Sequence, residues 1–182
     1  DLVPFPDEGK ERIRKFNTKF TNDVAGWTGM EADKFSGYTL DTIPEELNGT
    51  VDFVFLPRML HNLLRWNSAD NEIKAMRALL KDGGHLGIVQ HWAKADAPYS
   101  YTDGNKGYLR EADVIRFMEL HGFELVKKSE INANPKDPAN HEKGVWTLPP
   151  RLSTSKDDAE AKAKYEAIGE SDRMTLLFKK RP

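Results

Sequence analysis

Cysteine is absent from all 182 residues. Disulfides, thiolate zinc sites and cysteine nucleophiles are therefore excluded. Long apolar runs are missing too, and none approaches the roughly 20 residues that span a bilayer. Charge of one sign is not in excess, because 27 basic and 29 acidic side chains leave a formal charge of −2. That balance gives no electrostatic reason to expect nucleic acid or an anionic membrane as partner. The chain starts Asp1-Leu2-Val3-Pro4-Phe5-Pro6, with neither the basic flank nor the apolar core of a signal peptide. This start is expected to be a cut or processed end. The length suits one domain with a real core, expected over residues 1–182.

The informative stretch lies in the middle. Val51-Asp52-Phe53-Val54-Phe55 is a short apolar strand that contains an acid. A helix-like segment follows, and then Leu79-Leu80-Lys81-Asp82-Gly83-Gly84-His85-Leu86-Gly87-Ile88-Val89. Strand, crossover helix and second apolar strand make a βαβ unit with a parallel pair. The strand at 51–56 is almost wholly apolar, as expected of a strand covered on both faces, and it is expected to be central. Pro57 should end it.

Around this unit the periodicity predicts a helix over 8–20, with Ile13, Phe16 and Phe20 inward, and no clear period over 21–37. Residues 1–6 look like the exit of a strand, and Tyr38-Thr39-Leu40 is strand-like. A helix over 69–81 has Ser68 as N-cap and Gly83 or Gly84 as the residue closing it. Further on come a strand over 85–91, a polar loop over 96–107, a helix over 110–121 and an alternating strand over 123–131. A long loop over 132–153 is the kind that is functional when ordered. The chain closes with a helix over 156–168, capped by Ser155, and a strand over 174–178.

The motifs resemble the second half of a class I S-adenosylmethionine (SAM)-dependent methyltransferase. In that family "D-x-V" opens the fourth strand and "L-K-x-G-G-x-L" leads into the fifth, as Asp52-Phe53-Val54 and Leu80-Lys81-Asp82-Gly83-Gly84-His85-Leu86 do here. His121-Gly122-Phe123-Glu124-Leu125-Val126 resembles the segment before the sixth strand. Ser129-Glu130-Ile131-Asn132-Ala133-Asn134, Gly144-Val145-Trp146-Thr147-Leu148-Pro149-Pro150 and Gly169-Glu170-Ser171-Asp172-Arg173 are similar to a family of bacterial predicted methyltransferases. The resemblance implies an α/β fold, a Rossmann-like three-layer sandwich. Its sheet would be mostly parallel with an antiparallel terminal strand. No G-x-G-x-G loop lies upstream, although that loop normally holds the methionine part of SAM. The N-terminal strands and this glycine-rich segment are therefore expected to be missing, with weak or absent SAM binding by the chain alone.

Doubly wound sheets bind ligands outside the carboxyl ends of their strands. Pro57, Arg58, His61 and Asn62 follow one such end; Gln90, His91 and Trp92 follow another. His61 and His91 are the candidate catalytic bases, since imidazole titrates near neutral pH. Asn62, Gln90, Trp92, Asn134 and Trp146 are the candidate substrate contacts. The blander alternatives are that His61 and Asn62 cap a helix, Arg58 is simply surface, and His91 and Trp92 pack. The resemblance implies cofactor binding by Asp41, Pro57 and Arg58, with Asp41 on the adenine amino group and Asp1 near the ribose. Asp41 could equally be a turn former before Ile43-Pro44. No H-x-x-x-H or H-E-x-x-H spacing supports a metal site. The turn Glu170-Ser171-Asp172-Arg173 is either a solvated ion-pair turn or a site-facing one.

The expected activity is methyl transfer from SAM to a small molecule, the chain being a fragment of the full enzyme. The alternative is a non-catalytic methyltransferase-like binding or scaffold domain. Expected partners are a small-molecule substrate, no nucleic acid and no membrane, in a monomer or a homodimer. The expected compartment is the cytoplasm, or the periplasm if a signal peptide was removed upstream.

Overall fold

A computed structural model of the protein describes residues 7–39 and 42–182. The strand exit expected over 1–6, the ribose role of Asp1 and the adenine role of Asp41 lie outside the described residues. The chain divides into two compact units, Asp1–Leu47 and Asn48–Pro182.

The first unit holds helix α1 (Asp7–Thr28), a 3-10 turn at Ala32–Lys34 and a second one at Glu45–Leu47. Helix α1 runs about two turns beyond the expected 8–20. Its extension is stapled by Lys19–Asp23, an i,i+4 ion pair at 2.5 Å. Phe20 and Trp27 sit edge to face at 6.4 Å, a pairing that no apolar period over 21–37 announces. Tyr38 and Thr39 are not strand. Thr39 N–H instead donates to the hydroxyl of Thr42 at 3.0 Å, a local turn that competes with extended pairing.

The second unit carries the sheet. Strand β1 (Val51–Pro57) is followed by helices α2 (Leu60–Arg65) and α3 (Ala69–Leu79), then by strand β2 (Leu80–His91). A short helix α4 (Tyr99–Thr102), helix α5 (Glu111–Leu120) and strand β3 (Phe123–Ser129) come next. A 3-10 turn at Gly144–Thr147, helix α6 (Ala159–Ile168) and strand β4 (Arg173–Lys180) complete it. The sheet order is β1-β2-β4-β3. Strands β1 and β2 pair parallel, and β4 is antiparallel to both β2 and β3. Three strands thus share one direction and the terminal one opposes them, as expected of this α/β, Rossmann-like architecture.

One face of this sheet packs on helices. Leu56, Leu86, Ile88, Leu176 and Phe178 join Leu60 and Leu63 of α2, Ile73 of α3 and Val114 and Met118 of α5 in a single buried cluster. Each such side chain contributes roughly 1.5–3 kcal/mol by leaving water. The alternate residues of β1, Phe53 and Phe55, point to the other face and are 51% and 58% exposed. Gly87 lies beneath them, and a Cβ there would meet the Phe53 ring at 2.7 Å. Two of the three expected layers are therefore present within residues 48–182.

Strand β1 lies at an edge of the described sheet, not at its centre. Apolarity along a strand carries no information about its two edges, and here it does not mark two covered faces either, since Phe53 and Phe55 are exposed. The glycine pair also differs from expectation. Val51 pairs with Leu80, but Phe53 pairs with His85, so residues 81–84 bulge out of β2 instead of closing α3. Gly83, at φ 73°, supplies the left-handed turn of that bulge. Ser68 precedes α3 without a side-chain cap bond. Helix α6 is capped by Asp158, not Ser155; its carboxylate accepts from Ala161 N–H at 2.9 Å. Ser155 is buried.

Candidate functional site

The parallel pairing of β1 and β2 brings their carboxyl ends side by side, with Pro57 opposite Val89. Because β4 runs the other way, its first residues reach the same edge, with Arg173 opposite His91. A cavity of about 360 Å³ opens there. Pro57, Arg58, His61 and Asn62 line it from the β1 end, and His91 from β2. Glu170, Ser171 and Arg173 line it ahead of β4, and the segment from Val145 to Arg151 forms a further wall, lacking only Thr147. The volume suits a small organic molecule.

The two histidines are the centre of this edge. His61 sits in the first turn of α2, and its ring centroid is 5.4 Å from that of His91. Both are buried. Gln90, fully buried, donates Nε2–H to the carbonyl of Gly107 at 2.7 Å. Its Oε1 therefore faces His61 Nδ1, 3.3 Å away, and accepts the proton there. Nε2 of His61 keeps its lone pair. Burial lowers the His61 pKa, opposed by the bond to Gln90 and reinforced by the Arg65 charge. His91 Nδ1 meets Ser171 Oγ at 2.6 Å. Burial first, then His61, Arg173 and Arg58, push its pKa down to about 3. Both rings are neutral at pH 7.

The 3-10 turn Gly144–Thr147 presents Trp146 to His61, edge to face at 6.0 Å. The Arg65 guanidinium lies 5.5 Å from the Trp146 ring centre, a cation–π contact. The turn approaches residues 106–107 so closely that a Cβ on Gly144 would lie 2.2 Å from the carbonyl oxygen of Lys106. Behind it, Asp137 is completely buried. Its carboxylate accepts from Tyr108 O–H at 2.9 Å, Ala139 N–H at 2.8 Å and Asp172 N–H at 2.9 Å, and meets His141 Nε2 at 3.0 Å. This one carboxylate ties the 132–150 loop to the turn before β4.

The sequence candidates separate into two groups. Pro57, Arg58, His61, Asn62, His91 and Trp146 converge on the cavity. Gln90 stands behind His61, as a positioning residue. Trp92 is half-buried against the core and makes no cavity wall. Asn134 holds the turn before β4, donating to the carbonyls of Ile168 at 2.9 Å and Glu170 at 2.6 Å. Asp137, Tyr108 and the wall at Leu148–Arg151 were not singled out from sequence as site-building residues. The charged turn 170–173 faces the cavity. Among the described residues no three His, Asp or Glu side chains gather as metal ligands would, and no helix is long and apolar enough to cross a membrane.

No protein-family model matches the sequence, and no curated protein matches it either. Solved structures are similar in fold. The [4+2]-cyclase SpnF superposes at a TM-score of 0.58 with 18% identity, over 87% of this chain and 61% of that one. A 1,6-didemethyltoxoflavin-N1-methyltransferase of Burkholderia thailandensis, with bound S-adenosylhomocysteine, has a TM-score of 0.47 at 11% identity, over 100% and 60%. A SAM-dependent methyltransferase of Methanosarcina mazei has 0.46 at 10%, over 74% and 61%. The chain spans about three fifths of the length of these structures. What the similarity to SpnF establishes is the fold, one that the Rossmann-like reading of the sequence anticipates.

Proposed function

We propose that the protein is a SAM-dependent methyltransferase whose cavity at the ends of β1, β2 and β4 receives a small-molecule acceptor. One observation carries this reading. His61, with a free Nε2, and His91 line a cavity of about 360 Å³ just beyond the carboxyl ends of two parallel strands, where such sheets bind ligands. The methyltransferase-like motifs at 52–54 and 80–86 lie on these two strands.

SAM, when bound, supplies a methyl group on a sulfonium leaving group, so most of the work left to the protein is orientation. Trp146 and the Leu148-Pro149-Pro150 wall give the acceptor an apolar surface. His61 Nε2 is the group placed to take a proton from an acceptor hydroxyl or amine, with Gln90 fixing the tautomer. His91 is the weaker base, because burial first, and then His61, Arg173 and Arg58 beside it, make protonating it costly. Its role is to hold Ser171 and fill the cavity floor. The described donor set fits the acceptor and the methyl end of the cofactor; the adenine contact assigned to Asp41 falls outside it.

The test is release of S-adenosylhomocysteine when the full-length protein is incubated with SAM and a panel of small hydroxy- and amino-aromatic acceptors. Acceptor-dependent release is expected, and its loss in His61→Ala. A second reading is a binding domain without methyl transfer. The superposition at TM-score 0.58 on a structure named for a [4+2] cyclisation leaves room for it, since the fold does not by itself fix methyl transfer. Saturable ligand binding with no S-adenosylhomocysteine release from any acceptor would select it.

A further inference from the structure

The charges lining the cavity are unbalanced. Arg58, Arg151 and Arg173 line it against the single acid Glu170. Glu170 is already used, since Arg173 Nη1 pairs with it at 2.5 Å. Neither Arg58 nor Arg151 has an acidic partner among the described residues, and both histidines are neutral. Two solvent-exposed guanidinium groups thus line the cavity without an acidic partner among the described residues. The backbone adds an independent observation. Arg58 has φ 52°, a left-handed conformation that is strained for a non-glycine residue. Its N–H is locked to the carbonyl of Val89 at 2.6 Å. Strain of this kind persists where the surroundings impose it, and it gathers at ligand sites.

We propose that the acceptor carries an oxyanion, a carboxylate or a phosphate, held by Arg58 and Arg151, with its apolar body against Trp146 and the proline wall. This rests on the reading of the cavity as the acceptor site. Guanidinium groups suit such anions, because their N–H donors match two oxygens at once. An anionic acceptor also offsets the charge cost of placing a sulfonium near three arginines. A second source of oxyanion is the methionine carboxylate of the cofactor itself, and the experiment separates the two.

Isothermal titration of the full chain with benzoate, phenyl phosphate and benzamide tests this without turnover. Benzoate or phenyl phosphate should bind at least about tenfold more tightly than benzamide. Arg58→Gly keeps the left-handed backbone accessible while removing the charge, and it should abolish that preference, as should Arg151→Gln. Thermal melts of both variants check that they fold. Parallel titrations compare S-adenosylhomocysteine with 5′-methylthioadenosine, which lacks the carboxylate. If the arginine variants weaken S-adenosylhomocysteine alone and leave benzoate unchanged, the anion belongs to the cofactor and the proposal is overturned. Equal affinity for benzoate, phenyl phosphate and benzamide, or no binding of any of them at low-millimolar concentration, overturns it as well. An anion preference without S-adenosylhomocysteine release would leave the anion site standing and remove methyl transfer instead.

Discussion

The imidazole rings of His61 and His91 lie 5.4 Å apart and tilted by 59°, one carried by the first turn of α2 and the other by the last residue of β2. A charge on either ring would be felt by the other at short range and away from water. The pair therefore holds at most one proton under ordinary conditions, and His61, with its Gln90 partner, is the better place for it.

His61→Ala should lower turnover by about 100-fold or more, the usual contribution of a positioned base, with little change in SAM affinity. His91→Ala should lower it less. Initial rates of S-adenosylhomocysteine release against acceptor and SAM concentration read both effects. Unchanged rates in both variants would remove proton transfer by either ring from the reaction.

Acid should destabilise the fold well before the carboxylates titrate. The unfolded chain binds a proton at His91 near pH 6.5, whereas the folded chain resists until about pH 3. Between these limits the unfolded state carries more protons, so stability is full above about pH 6.5 and falls as pH falls. The slope for one such group approaches about 1.4 kcal/mol per pH unit; His61, shifted the same way, adds to it. Urea titrations at half-unit steps of pH should show the decline, and His91→Asn should flatten it. A level profile across this window in the unsubstituted protein would contradict the burial argument.

Asp137→Ala should cost at least about 3 kcal/mol, because it strands the hydroxyl of Tyr108 and the amides of Ala139 and Asp172 without an acceptor. Asp137→Asn keeps an oxygen acceptor and should cost less. Denaturant midpoints of the two variants measure the difference, and equal midpoints would show that the carboxylate is not what holds the loop.

Gly144→Ala should be destabilising by about 2–5 kcal/mol. It places a Cβ against the Lys106 carbonyl and forces alanine to φ 69°. Because the same turn carries Trp146, ligand affinity should fall along with the melting temperature. A variant that melts like the original protein would mean that the turn can move away freely.

How far these features were legible follows from how far each one depends on neighbours in sequence. The β1 and β2 ends could be read because a run of apolar residues, a proline and a bounded strand are local signals, and strand ends are where ligands go. Ser171 and Arg173 drew notice only as a dense charged turn. The 132–153 loop reads as a functional loop near the site, but that Leu148–Arg151 form its wall could not be read, since a loop has no period from which to read its path. Asp137 was still less visible. An aspartate is buried only when donors surround it, and here they come from positions 108, 139, 141 and 172. Trp92, Gln90 and Asn134 read as substrate contacts in the sequence; in the structure Trp92 packs on the core, Gln90 bonds His61 and Asn134 holds the turn before β4, partners that sequence position alone does not reveal. Ser155 and Asp158 are three residues apart, and choosing between two cap-forming residues needs the helix axis, which the weak period of α6 does not supply.

The alternation along β2 writes the site in single-residue steps. Gln90 and His91 are neighbours on one strand and so belong to opposite faces of the sheet, one behind His61 and one lining the cavity. A residue inserted between 85 and 89 would move Gln90 into the place of His91, putting an amide where the imidazole stands while leaving composition nearly untouched. A residue gained or lost within the 81–84 bulge lies outside the paired ladder, so chain length can drift there without reversing the parity of the strand that follows.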